Sequence, residues 1–109
     1  MFVHITSFRV STGQVPRLRE RIAAGYLPIA RKQPGFERDY FLEKVDDAER
    51  AQLVLVWESQ SALENFRNSD VMDAINKMLH ANLPGLRMQS DSYIVRLRPG
   101  ENEAAQSSR

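Results

Sequence analysis

At 109 residues the chain has enough sequence for one packed domain and too little for two. Its 15 basic residues nearly cancel its 14 acidic ones, leaving a net charge of +1 and no electrostatic footprint for nucleic acid or an anionic membrane. No apolar run nears the roughly 20 residues that cross a bilayer, and Met1-Phe2-Val3-His4-Ile5 lacks the basic start and long apolar core of a signal peptide; the expectation is a soluble, cytoplasmic protein.

Phe2 to Val10 is rich in β-branched and aromatic residues and is predicted to be a strand. Phe2, His4, Thr6 and Phe8 share one face, and Val3, Ile5 and Ser7 the other. A helix of about twenty residues is expected from Val15 to Lys32, with Val15, Leu18, Ile22, Tyr26, Ile29 and Ala30 as its apolar stripe. Pro16 suits its first turn, whereas Pro28 removes an internal hydrogen bond and should kink the helix or end its regular part.

After Pro34-Gly35, a second strand runs from Phe36 to Val45, with Phe36, Arg38, Tyr40 and Leu42 on one face and Asp39, Phe41 and Glu43 on the other. Gln52 to Trp57 is a continuous apolar run, the pattern of a central strand covered on both sides. Two short helices follow. Ser61 and Glu64 have capping-box spacing at the first, around Ser61–Arg67. Ser69 and Asp70 suit the start of the second, whose stripe is expected at Val71, Ala74, Ile75, Met78 and Leu79. A last strand is expected from Leu86 to Leu97. Residues 1–98 thus form the domain, and the polar segment 99–109 is expected to be a disordered tail.

The order β-α-β-β-α-β is the split βαβ pattern of a ferredoxin-like α+β domain: a four-stranded antiparallel sheet with its helices on one face. The opposite face should then carry Val3, Ile5 and Phe41, with either Val54 and Val56 or Leu53 and Leu55. A face this apolar implies a partner. The simplest is a second copy, two sheets packed face to face in a homodimer.

The chain has no cysteine, which excludes disulfides, thiolate metal sites and cysteine nucleophiles, and its two histidines make no metal motif. It has no Gly-rich phosphate loop and no G-x-S-x-G elbow. Polar side chains that an apolar pocket could use are His4, Tyr26, Trp57, Asn65, Asn76 and His80. Each also has an ordinary reading. Trp57 and Phe66 pack into most cores, Tyr26 lies on a helix stripe, a lone His4 on a strand is often just hydrogen-bonded, and His80 near a helix C-terminus complements the dipole.

Pro34-Gly35-Phe36 after the first helix, then Trp57-Glu58-Ser59, Ala62-Leu63, Phe66 and Ser69, resemble the antibiotic biosynthesis monooxygenase family of dimeric α/β-barrel proteins. The resemblance spans residues 2–97. It implies two such sheets closing a dimeric barrel, with a pocket between sheet and helices. It also implies cofactor-free oxidation of a small aromatic or quinol-like substrate by dioxygen. Other members of that superfamily degrade haem, and many have no assigned activity, so a non-catalytic ligand-binding or regulatory module and a haem-binding protein stand as alternatives. The haem-degrading branch uses an Asn, a Trp and a proximal His; the matching positions here are Thr6, Phe66 and Asn76, and all three depart. His80 lies one turn beyond Asn76 and is the remaining candidate ligand. The catalytic candidates are therefore Trp57, Tyr26, His4 and Asn76, with Thr6, Phe66 and His80 lining the substrate site and no cofactor expected.

Overall fold

The computed structural model describes residues 1–97; the expected tail, 99–109, lies outside them. Strand β1 (Phe2–Arg9) is followed by helix α1 (Val15–Gly25), a single turn α2 (Leu27–Ala30), and strands β2 (Phe36–Glu43) and β3 (Arg50–Trp57). Helices α3 (Gln60–Arg67) and α4 (Asp70–Asn82) then lead to β4 (Arg87–Ile94). The sheet order is β2-β3-β1-β4, and every neighbouring pair is antiparallel. This is the ferredoxin-like order expected from the sequence.

Register decides which side chains share a face, because directly opposed residues point the same way. Thr6 opposes Leu53 and Ser90, and His4 opposes Leu55 and Ser92. Leu53, Leu55 and Trp57 are fully buried beneath the helices. Ile5 opposes Val54, and Val3 opposes Val56, so these four belong to the open face. Leu53 and Leu55 are thereby settled as core.

Strand β2 corrects one expectation. Phe41 opposes Leu53 and packs against the core; the residues it leaves on the open face are Tyr40 and Leu42, 49% and 47% exposed. The cause is a shift of register between Phe36 and Arg38, which puts Phe36 on the helix side against Trp57 although alternation places it with Tyr40. Arg31 confirms the orientation from the helical layer, donating to both carboxylate oxygens of Asp39 at 2.8 and 3.0 Å.

The regular part of the long first helix ends ahead of Pro28, the second of the two outcomes expected of that residue. Had it continued, Pro28 would have needed an N–H for the carbonyl of Ala24. Instead α1 ends at Gly25, Tyr26 adopts φ −115°, and α2 restarts with Pro28 in its first turn. The break turns Tyr26 into the core, where it is 1% exposed.

The caps also separate. Ser69 accepts from the Met72 N–H at 3.1 Å and caps α4, as its sequence position suggests. The cap of α3 is Ser59, accepting from the Ala62 N–H at 3.1 Å, so Ser61 is inside the helix and its spacing to Glu64 is unused. On α4 the buried stripe is Met72, Ile75 and Leu79, while Val71 faces outward at 41% exposure.

Pro34-Gly35-Phe36 has a structural reason. Gly35 sits at φ +82°, and a Cβ there would stand 2.5 Å from Ala62 Cβ. Its carbonyl accepts from the Glu58 N–H at 2.9 Å, pinning the start of β2 to the end of β3. Only glycine allows both the backbone angle and the close approach of α3.

Candidate functional site

The helix-covered face of the sheet gathers most of the candidate residues. Trp57 closes β3, its indole 5.3 Å from the ring of Phe66 on α3 and 5.5 Å edge-on from Phe36. Tyr26 approaches Phe66 from the helix break, centroids 6.3 Å apart. Thr6 and His4 lie on β1 of the same face, 2% and 5% exposed. His4 is a diagonal neighbour of Trp57, since Phe2 opposes Trp57 two positions away.

Two polar atoms in this cluster are sealed from solvent and have no hydrogen-bond partner among the described residues: Tyr26 Oη and Trp57 Nε1. Buried polar groups are nearly always paired, and leaving one unpaired costs about 1–3 kcal/mol. Burial drives the Tyr26 hydroxyl far above its ordinary pKa, so it remains a neutral O–H. The nearby Thr6 hydroxyl pulls the other way, although the two groups fall short of hydrogen-bond geometry. The Thr6 hydroxyl is instead 2.9 Å from Ser90 Oγ.

His4 is held differently. Its Nδ1 is 3.2 Å from Ser92 Oγ, and the same oxygen accepts from Arg67 Nη1 at 3.2 Å. Burial lowers the His4 pKa, Arg67 lowers it further, and Asp91 opposes both. The ring is therefore neutral at physiological pH. Arg67 and Ser92 also line a cleft of about 300 Å³ bounded by Phe2, Leu63 and Ile94. That cleft adjoins His4 through Ser92. Neither this cleft nor the three others, beside Leu42 and Gln89, at Gly13 and Asn82, and between Gly25 and Met78, is lined by a site residue predicted from the sequence.

The remaining candidates stand apart from the cluster. Asn76 is half-buried on α4, and His80 is exposed in the last turn of that helix. Neither fits a haem ligand: an amide offers no imidazole, and His80 is not turned toward the covered face that would enclose a macrocycle. Among the described residues no group of three or more His, Asp or Glu side chains is placed to hold a metal ion, and no helix is long and apolar enough to cross a membrane.

Sequence reasoning missed Ser90, Ser92 and Arg67. The two serines share a face with Met88 in an alternating strand, and that shared face was the available signal, although both remain exposed at the sheet edge. Their pairing with β1, more than 80 residues away, was not visible in the sequence.

The profile of the family described as "Antibiotic biosynthesis monooxygenase" matches residues 1–78. Among solved structures, the chain resembles SnoaB of Streptomyces nogalater, a cofactor-independent oxygenase, with a TM-score of 0.76 and 19% identity, covering 92% of this chain and 97% of that one. A putative antibiotic biosynthesis monooxygenase from Nitrosomonas europaea gives 0.70 at 15% identity over 89% and 100% of the two chains. Another from Deinococcus radiodurans gives 0.66 at 15% over 90% and 97%. A search of curated proteins finds no match. Identities this low carry the fold alone, but the profile spans most of the chain together with Gly35, Trp57, Ser59 and Phe66, whose structural places are described above. The chain belongs to the antibiotic biosynthesis monooxygenase family.

Proposed function

We propose that this protein is a cofactor-independent monooxygenase of a small aromatic, quinol-like substrate. The observation that carries the reading is the pair of sealed, unpartnered donors, Tyr26 O–H and Trp57 Nε1–H, on one face with Thr6 and His4. A fold that leaves such donors unpaired gives up stability, and a ligand oxygen seated between them would recover it. In the reaction, a quinol and one dioxygen yield a hydroxylated quinone and water. One oxygen atom forms the new C–O bond, the other leaves as water, and the substrate supplies the electrons. Its anion reduces dioxygen, so no flavin or metal is required. The protein supplies orientation, hydrogen bonds to the charged oxygen and exclusion of water.

The SnoaB likeness supports cofactor-free oxidation as the activity of the scaffold's relative, and the misfit of Asn76 and His80 speaks against the haem reading. The open face of Val3, Ile5, Tyr40, Val54 and Tyr93 supports a homodimer, which would bury the apolar surface that one copy leaves in water.

The test is oxygen uptake with 1,4-naphthoquinol and related quinols, in the presence of a chelator and without flavin. Uptake of one dioxygen per quinol consumed, reduced at least tenfold in Trp57→Phe, supports the enzyme. Tight binding of the quinol without uptake would instead assign a ligand-binding module. A Soret band on haemin addition that vanishes in His80→Ala would restore the haem reading.

A further inference from the structure

Arginine has no acceptor, so Arg67 Nη1 must donate to Ser92 Oγ. Ser92 Oγ has a second lone pair and its own proton, so it can either accept from or donate to His4 Nδ1 at 3.2 Å; the guanidinium bond polarises its O–H and favours donation. A neutral imidazole carries one proton. If Nδ1 accepts from Ser92, the ring proton is on Nε2, and Nε2 makes no hydrogen bond within the described residues.

We propose that Arg67 and Ser92 are positioning residues that lock His4 as the Nε2–H tautomer, so that the covered face presents donors and no base, and binds the oxygen anion of a phenolate or enolate rather than a neutral phenol. This rests on reading the covered face as the substrate site. The proton inventory fixes the first bond, and the polarisation of Ser92 by Arg67 gives the second its proposed direction. Arg67 gives to Ser92, Ser92 to His4 Nδ1, and His4 Nε2–H is free to give to a ligand. Tyr26 O–H and Trp57 Nε1–H are donors of the same kind, the indole unable to accept at all. No carboxylate opposes them from within the cluster: Asp91 is the acidic group that acts on His4, and it belongs to the open-face side of β4, opposite Ile5. Among groups on the elements packed around His4, Arg67 of α3 is the cation, and β3 contributes the apolar Leu55.

The consequence is a division of labour that differs from general-base catalysis. A substrate here must bring its own acidity. The site would lower the pKa of a bound phenol by favouring its anion, and activity would rise with pH along the substrate's ionisation instead of His4's. The 300 Å³ cleft beside Arg67 and Ser92 carries two arginines, Arg67 and Arg96, against one carboxylate, Glu64, and adjoins the donors only through Ser92.

Two measurements on the full chain test this. Long-range ¹H–¹⁵N correlation spectra of the histidine rings at neutral pH should show His4 with an unprotonated Nδ1 and a protonated Nε2. Ser92→Ala should lose that tautomeric preference, Ser92→Thr should keep it, and Arg67→Gln should raise the His4 pKa. A protonated Nδ1 in the wild type, or the same tautomer in Ser92→Ala, overturns the proposal. With 4-nitrophenol as probe, visible absorbance should show the bound phenol ionising at lower pH than the free one, with most of that shift lost in Ser92→Ala. An unshifted or upward midpoint, or no binding, overturns the anion preference. Neither readout depends on turnover, so absence of oxygen uptake would remove the monooxygenase reading and leave the tautomer assignment standing.

Discussion

The two faces of this sheet are built from the same strands and are handled in opposite ways. On the covered face, Leu53, Leu55, Phe8 and Trp57 are almost wholly buried, and polar atoms are sealed among them, some paired and two not. On the open face, Val3, Ile5 and Val54 are half-covered, Tyr40, Leu42 and Tyr93 are about half exposed, and the apolar character comes from aliphatic and tyrosine side chains standing in water. The covered face has surplus hydrogen-bond capacity in a place without water. The open face has surplus apolar area in a place with water. Each surplus supports one of the proposals above, a small-molecule ligand for the first and a second copy for the second.

The sharpest way to break the comparison is to charge the open face. Ile5→Asp would place a carboxylate in the centre of the proposed dimer interface, where an unpaired charge is costly. Wild-type protein should scatter light as a species of about twice 12.5 kDa at micromolar concentration, and the variant should dissociate with a dimer Kd raised roughly a hundredfold or more, about 2.7 kcal/mol. A wild-type monomer would remove the assembly half of the account.

Gly35→Ala tests how tightly the two faces are tied together at the corner between β2, β3 and α3. The left-handed backbone angle costs roughly 1–2 kcal/mol for an L-residue, and the new methyl would meet Ala62 Cβ and the Glu58 side chain. The expected loss is about 2–3 kcal/mol, seen as a fall in Tm of roughly 10 °C or more. Ser69→Ala should cost less, about 1 kcal/mol, by leaving the Met72 N–H uncapped at the start of α4. Urea denaturation measures it, and an equal loss in Ser59→Ala with none in Ser61→Ala would confirm which serine caps α3.

The smallest expected effect is the acid limb of stability. The folded pKa of His4 is lowered, chiefly by burial, below its ordinary 6.5. Below pH 6.5 the unfolded chain therefore takes up a proton that the folded chain refuses, and stability falls as pH drops from 6.5 toward the folded value. The slope is at most about 1.4 kcal/mol per pH unit and less where solvent reaches the ring. Comparing denaturation midpoints at pH 7.5 and 5.5 in wild type and His4→Gln isolates it.

Much of this architecture is legible in the residues themselves. Period-two alternation in Phe2–Phe8 assigns His4 and Thr6 to the face that the helices cover, and the apolar run ending at Trp57 marks a central strand. The failures have local causes. Alternation cannot anticipate the register shift after Phe36, which exchanges the roles of neighbouring aromatics on β2. Adjacent apolar pairs such as Val71-Met72 and Met78-Leu79 permit two helical stripes, and packing chose the one through Met72 and Leu79. Two serines near Trp57 both satisfy a cap rule, and the extended backbone at Ser59 decides between them. The site was legible only in part. Aromatics announce Trp57, Tyr26 and Phe66, whereas Ser92 and Arg67 are ordinary polar residues until the fold brings them to His4.

The most direct test of the central claim, that the covered face keeps donors unpaired for a ligand, is the single variant Tyr26→Phe measured for both stability and quinol oxidation. Removing an unpartnered hydroxyl should leave unfolding free energy unchanged or raise it by up to about 1 kcal/mol, while oxygen uptake falls on the order of a hundredfold, the usual effect of losing one donor to a developing anion. Loss of more than about 1.5 kcal/mol of stability with turnover intact would contradict it, because the hydroxyl would then be a structural group of the core.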